Sequence, residues 1–215
     1  MEEKLREYAE LLVRIGVNVQ KGQNLVISAP VECAHFARLC ARAAYAVGCR
    51  EVIMNWSDDQ LTREKYLHAA EDVFDTVPAW TERFYNDYAR EGAAYLAISA
   101  TDPENLKGVD GGRIVRSQRS RSQALKDFNR LQMANGFPWC IASIPIPAWA
   151  ERVFPGGGAA VDRLWEAIFQ AVRITGDGGA VDRWHAHLRM LEERKDKLNA
   201  LGLRSLHYTN SLGTD

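Results

Sequence analysis

Two histidines in the stretch RWHAHLRMLEERKDK, His185 and His187, come closest to the appearance of a metal-binding pair. The stretch has the pattern of a helix, in which residues two positions apart point about 200° away from each other. Zinc-binding helices instead place two histidines at i and i+4, on one face. We therefore expect one histidine to face the protein and the other to face solvent, with no metal ion between them.

Other residues with reactive side chains lack the partners that their chemistry needs. Cys33 and His35 are also two positions apart, and nothing downstream completes a set of four metal ligands. Cys140 lies in a predicted buried strand, where burial raises the pKa of a thiol and makes it a poor nucleophile. The carboxylates Asp58 and Asp59 are most simply interpreted as caps of the following helix. These residues do not assemble into an active site.

Two glycine-rich turns, FPGGGAAVDRLW and TGDGGAVDRW, lead into predicted helices and could bind an anion at a helix N-terminus. Neither has the Lys-Ser/Thr ending of a phosphate loop or the G-x-G-x-x-G order that follows a strand. We therefore interpret both turns as helix starts. The first predicted strand also lacks a glycine fingerprint, so we do not expect a dinucleotide-binding fold.

An arginine-rich stretch, GGRIVRSQRSRSQALKDFNR, could contact phosphates or an acidic protein surface. Its arginines are Arg113, Arg116, Arg119, Arg121 and Arg130. Aromatic residues are nearly absent from it and the chain as a whole is not basic, so the pattern is not typical of nucleic-acid binding. We interpret the stretch as a solvated surface leading into a helix. The open alternative is a docking face for an acidic partner, including another domain of the same polypeptide.

The composition of the chain excludes several classes of protein. The 215 residues are 47% hydrophobic and 26% charged, with a formal net charge of -1. Such a chain can bury a core, and its charge provides no electrostatic footprint for nucleic acid or an anionic membrane. No apolar run approaches the ~20 residues that span a bilayer, and the charged N-terminus is not typical of a signal peptide. The four cysteines lack paired spacing, which is typical of reduced thiols. We expect a soluble, cytoplasmic protein with no nucleic-acid and no membrane partner.

Short apolar runs alternate with helical patterns along the chain. The predicted strands cover 25–29, 51–56, 94–99, 138–144 and 205–208, and the predicted helices cover 2–19, 31–47, 59–70, 78–90, 121–134, 159–174 and 180–200. Continuously apolar strands are typical of a parallel sheet that is buried on both faces. We predict a single α/β domain whose mostly parallel sheet has helices on both faces.

The carboxyl ends of the predicted strands are a second place where chemistry could occur. Ligands of open parallel sheets bind in the crevice outside these ends. The residues there are Ser28, Pro30, Asn55, Trp56, Ser99 and Thr101. They would line a small-molecule site if the chain were a stand-alone α/β binding module.

Several stretches, taken in order, resemble the N-terminal half of the thermophilic-type metallo-aminopeptidases, the family of aminopeptidases T, S and II. They are LREYAELLVRIGVNVQKGQNLVISAPVECAHFARLCARAAYAVGCREVIMNWSDDQLTR, AAYLAISATDPENLKGVD, PWCIASIPIPAWAERVFP, AVDRLWEAIFQAVRI and WHAHLRMLEERKDKLNALGLRSLHYTNSLGTD. The resemblance covers essentially the whole chain. One difference lies at 145–150, where this chain has PIPAWA and the family has Pro-Thr-x-x-Trp-Ala, so a family hydroxyl there would be missing.

The resemblance implies a polypeptide about twice as long, in which a C-terminal domain holds two divalent metal ions (zinc, cobalt, manganese or magnesium) and hydrolyses the N-terminal residue of a peptide substrate. None of the family's ligand motifs lies within 1–215, so it assigns no catalytic, metal or cofactor residue here. Residues 1–204 are then a non-catalytic N-terminal α/β domain, expected to be inactive alone, and 205–215 begin the connection to a C-terminal catalytic domain that this sequence lacks. We also expect a homodimer. The fifth strand, Trp139, Trp149 and Phe154 are the expected contacts with the other half.

Overall fold

A four-stranded sheet forms the centre of the fold in the computed structural model, which describes residues 1–156 and 158–214. Its strands are β1 (Asn24–Pro30), β2 (Glu51–Ser57), β3 (Ala94–Ser99) and β4 (Trp139–Ser143). All neighbouring strands are parallel, in the order β2-β1-β3-β4. The predicted α/β class and parallel sheet are therefore confirmed. Gly157, in the first glycine-rich turn, and Asp215, in the predicted connection, lie outside the described residues.

Helices connect the strands and cover the sheet. They are α1 (Glu2–Leu11), α2 (Ala34–Ala46), α3 (Asp59–His68), α4 (Ala79–Arg90), α5 (Gly111–Ala124), α6 (Lys126–Met133), α7 (Pro147–Val153), α8 (Ala160–Ala171) and α9 (Ala180–Ala200). A π-helical turn, Leu12–Gly16, extends α1, and short 3-10 turns lie at Val31–Cys33 and Glu71–Phe74. In the described residues no helix is both long and apolar enough to cross a bilayer.

A hydrophobic core lies on each face of the sheet, because successive side chains of a strand point to opposite faces. Leu25 and Ile27 pack in the larger core with α1 and α2, whereas Val26, between them, packs in a second core with α4 and α6. A third, smaller cluster joins α7 to α8. The prediction of helices on both faces is confirmed.

The predicted helix at 121–134 is interrupted at Leu125, and the structure provides the reason. Asn86 on α4 is 4% exposed and lies opposite the break. Its side-chain amide donates to the carbonyl of Ala124 at 3.1 Å, and its oxygen accepts from the backbone N–H of Phe128 at 3.0 Å. Backbone groups released by the break are thereby satisfied, as buried polar groups require.

Three other predictions of local structure were wrong. The helix predicted to start at residue 121 starts ten residues earlier, at Gly111, where the Asp110 side chain caps α5 by accepting from the Gly112 N–H at 2.8 Å. Helix α7 was missed, although Pro147 at its first position is a known signal for a helix start. Residues 205–208 form no strand and are exposed, since no described strand pairs with their backbone.

A buried carboxylate on α1 holds the start of α9 in place. Glu7 is 5% exposed. Its carboxylate accepts from the backbone N–H groups of Gly176 at 2.7 Å and Ala180 at 2.8 Å, and from Arg183 Nη2 at 2.8 Å. Ala180 is the first residue of α9, so the negative charge lies where the helix dipole stabilises it. One side chain therefore joins the beginning of the chain to its last helix.

Replacing Glu7 tests this junction. Glu7→Ala leaves the two N–H groups and Arg183 without their buried partner, a loss that costs about 3–5 kcal/mol. We expect the free energy of unfolding, measured by urea denaturation, to fall by about that amount. The control is Glu10→Ala on the exposed side of the same helix, which should stay within about 0.5 kcal/mol. Equal effects of both substitutions would contradict the role of Glu7.

Candidate functional site

The structure brings together two of the six residues predicted at the strand ends. Ser28 and Asn55 are partners in the β1–β2 register. The Asn55 side-chain amide donates to Ser28 Oγ at 3.2 Å and to Tyr85 Oη at 2.7 Å. Tyr85 lies on α4, and sequence reasoning missed it because its contact with Asn55 depends on how α4 crosses the sheet. Arg121 covers the Tyr85 ring at 4.8 Å.

The other four predicted residues do not join this group by any recorded contact. Trp56 follows Asn55 on β2, so its side chain points to the opposite face, and it is 43% exposed. Pro30 is buried at the end of β1, and Ser99 and Thr101 are exposed at the end of β3. A single crevice lined by all six residues stays a prediction.

Acidic residues lie beside the same ends of the strands. The Asp58 side chain caps α3 by accepting from the Leu61 N–H at 3.0 Å, as predicted. Asp59 does not cap the helix; its Oδ2 accepts from the Asp102 N–H at 3.3 Å. Burial raises the pKa of Asp59, and the negative charges of Glu32 and Asp102 add to this effect, although the Asp102 N–H opposes it. The ionised form of Asp59 is therefore less stable in the folded protein than in water.

Metal-binding side chains do not converge in the part of the chain that the structure describes. Within residues 1–156 and 158–214, no group of three or more His, Cys, Asp or Glu residues could hold an ion. His185 is exposed, whereas His187 is half-buried with its ring against Trp184, so one histidine faces solvent and the other faces the protein, as expected. A two-metal centre does not fit these donors.

The cysteines are thiols of low reactivity. All four are free, and Cys33, Cys40 and Cys49 are buried. Burial raises the pKa of Cys33 to about 11 and also raises that of Cys140. The prediction that Cys140 lies in a buried strand was wrong, since β4 is an edge strand and this residue is only half-buried. Its raised pKa still makes it a poor nucleophile.

Two arginines of the arginine-rich stretch bind acidic residues of their own chain. Arg113 pairs with Glu71 at 2.5 Å, and Arg116 pairs with Glu71 at 2.7 Å and with Asp75 at 2.5 Å. Arg113 also donates to the carbonyl of Tyr66 at 2.7 Å, at the end of α3. These contacts hold α5 against the Glu71–Phe74 turn, which leaves Arg113 and Arg116 less available to an outside partner.

Strand β4 forms one edge of the sheet and is open to solvent. Trp139 is 38% exposed and Ile141 is 61% exposed. The Tyr95 N–H donates to the Pro138 carbonyl at 2.9 Å, and the Ile144 N–H donates to the Ser99 carbonyl at 2.9 Å. In a parallel ladder the residues between these points alternate in direction. The backbone groups of Trp139 and Ile141 therefore point away from β3, toward the open edge.

Cavities flank β4 on both faces. A cavity of about 190 Å³ lies on the face of Tyr85 and Phe128, and one of about 410 Å³ lies on the other face. The larger cavity is lined mainly by apolar residues of α1, the π-helical turn and α9: Tyr8, Leu11, Leu12, Ile15, Trp184 and Leu188. Both cavities reach Cys140 and Ile141. Strand β4 is thus incompletely covered on each face and along its outer edge.

A glycine allows the π-helical turn to approach β4. A Cβ atom added at Gly16 would lie 2.9 Å from Cys140 Sγ. Real Cβ contacts essentially never come so close. The turn ends after Gly16, where the Val17 N–H donates to the Leu12 carbonyl at 2.8 Å, five residues back. Gly16 therefore determines how closely α1 packs against the edge strand.

Comparison with known proteins identifies the relatives of this chain. A family model described as "Thermophilic metalloprotease (M29)" matches residues 1–215. The chain is 39% identical to aminopeptidase 2 of Geobacillus stearothermophilus, over 96% of its own length and 50% of that protein. It is 36% identical to aminopeptidase AmpS of Bacillus subtilis (strain 168), over 99% of its length and 52% of that protein.

A solved structure agrees with these matches. Wild-type AmpT from Thermus thermophilus superposes with a TM-score of 0.86 at 36% identity, and the match covers 97% of this chain and 51% of that one. The chain therefore spans about half the length of the relatives that it matches. The resemblance and the fold expected from it are both confirmed.

The two adjacent aspartates at the start of α3 should have opposite effects on stability. The pKa of Asp59 is raised in the folded state, so its charge destabilises the fold above that pKa. Asp59→Asn should therefore raise the urea midpoint at pH 7, and the gain should disappear below about pH 3.9, where Asp59 is protonated in both states. Asp58→Ala removes a cap and should lower stability by about 1 kcal/mol. A lower midpoint for Asp59→Asn at pH 7 would refute the assignment.

The close approach of Gly16 to Cys140 can be tested with a double-mutant cycle. Gly16→Ala should lower the free energy of unfolding by about 1–3 kcal/mol, because the added methyl group overpacks against Cys140. Cys140→Ala in the same chain should restore part of the loss, which would reveal coupling between the two sites. As a control, Gly111→Ala meets no atom within 4 Å and should be nearly neutral. Additive effects at positions 16 and 140 would argue against direct contact.

Proposed function

This chain belongs to the thermophilic metalloprotease (M29) family, and we propose that it is the N-terminal, non-catalytic domain of a metal-dependent aminopeptidase. The observation that carries the proposal is the extent of the matches. Aminopeptidase T of Thermus thermophilus is 38% identical across 98% of this chain, and yet the chain spans only 52% of that protein. The relatives therefore hold about as much polypeptide outside the match as within it.

The distribution of metal donors supports this division of labour. The described residues provide no convergent group of His, Cys, Asp or Glu side chains, so the family's metal chemistry requires donors from elsewhere. We assign two divalent cations, of zinc, cobalt, manganese or magnesium, to a second half of the protein. The substrate proposed for the complete enzyme is a peptide, from which it releases the N-terminal residue.

The proposed role of the domain is structural. Residues 1–204 form the N-terminal unit, and 205–215 begin the connection to the second half. The domain packs against that half, restricts entry to its metal centre and contributes to a homodimer. Four free cysteines with three of them buried support a reducing, cytoplasmic location. A stand-alone binding module is not favoured, because the relatives matched over the whole chain carry the names of aminopeptidases.

A chimera tests the proposal. The chain replaces the matching half of Thermus thermophilus aminopeptidase T, and release of the N-terminal residue from a peptide is measured with and without a chelator. We expect activity that the chelator abolishes, and no activity from the 215-residue chain alone. Circular dichroism and metal content verify that the chimera is folded and loaded. A folded, metal-loaded chimera without activity, or peptide hydrolysis by the chain alone, would contradict the proposal.

A further inference from the structure

Every described residue from Leu191 to Thr214 is exposed. Large apolar side chains are frequent in this segment: Leu191, Leu198, Leu201, Leu203, Leu206, Tyr208 and Leu212. Helical stability comes mostly from packing of an apolar face. The last part of α9, about 15 Å of helix from Leu191 to Ala200, has no such packing against the residues that the structure describes.

The apolar residues of α9 form one stripe. Trp184, Leu188, Leu191 and Leu198 are spaced i, i+4, i+7 and i+14, which places them on the same side of a helix. Trp184 packs on the domain, where its indole N–H donates to the Val172 carbonyl at 2.7 Å. Leu188 lines the 410 Å³ cavity together with Ile141 of β4. The stripe thus begins inside the domain and continues to Leu191, and the charged Lys195 separates it from Leu198.

The stripe and the edge strand form one surface, which we call the open face: Trp139, Ile141, Leu188 and Leu191. Leu188 and Ile141 meet at the larger cavity, so the surface is continuous from β4 to α9. Exposed apolar surface of this kind marks an interaction site. The outward backbone N–H groups of Trp139 and Ile141 add hydrogen-bonding capacity that a partner can satisfy.

We propose that the open face is the docking surface for the metal-carrying half of the enzyme; this rests on the proposed function above. The relatives supply the argument for that occupant, since each holds about half of its length outside the match.

Amide hydrogen exchange on the aminopeptidase T chimera tests the docking surface directly. In the 215-residue chain the outward amides of Trp139 and Ile141, and the amides of 191–208, should exchange rapidly. In the chimera they should exchange at least tenfold more slowly, since docking covers the edge and the stripe. Helix α5 is the internal control, because it lies outside the open face and should exchange equally in both proteins.

Two substitutions sharpen the test. Ile141→Glu and Leu188→Glu place a charge on the open face and should abolish the protection in the chimera. Val115→Glu is the matched control, because Val115 is 64% exposed on α5, close to the 61% of Ile141. Circular dichroism of each variant in the 215-residue chain verifies that the domain itself still folds.

The outcomes separate the docking surface from the proposed function. Protection that is lost in Ile141→Glu and Leu188→Glu supports the docking surface, whether or not the chimera is active. An active chimera without protection at β4 and α9 overturns the surface and leaves the proposed function standing. An inactive chimera without protection overturns both. Concentration-dependent protection in the 215-residue chain, with a dimer in sedimentation, shows that a second copy is the occupant and also overturns the proposal.

Discussion

The contact on which the rest of this domain depends is the buried carboxylate of Glu7. Three donors converge on it from the region that begins α9, at 2.7–2.8 Å. A buried charge is tolerable only when it is paired and hydrogen-bonded, so the position of α9 relative to α1 is closely constrained. This constraint fixes the direction of α9 and therefore the direction in which its apolar stripe extends. It also places Leu188 opposite β4, across the larger cavity.

The edge of the sheet has the opposite character. Strand β4 has backbone groups that face away from β3, exposed apolar side chains and a cavity on each face. A domain that had to be stable and soluble by itself would cover or charge such an edge. Here the π-helical turn and Gly16 bring α1 close to β4 without covering it. We interpret the open edge as an interface, which leaves the domain less stable by itself than a covered edge would.

The strand ends hold a hydrogen-bonded group, Ser28, Asn55 and Tyr85, and a separate acidic residue, Asp59, whose pKa is raised by burial. Neither arrangement supplies an activated nucleophile or a set of metal ligands. Both arrangements are compatible with the structural role that we propose for this domain.

The sequence by itself determined the four paired strands, the parallel sheet with helices on both faces and the cap at Asp58. These depend on local patterns: apolar runs, helical spacing and a carboxylate before a helix. The tertiary structure alone decided the contacts of Glu7 with α9, the break at Leu125 opposite Asn86 and the exposure of β4. Each of these joins residues far apart in the chain, so no local pattern contains them. The fifth predicted strand was wrong for the same reason, because a strand forms only where another backbone is present to pair with it.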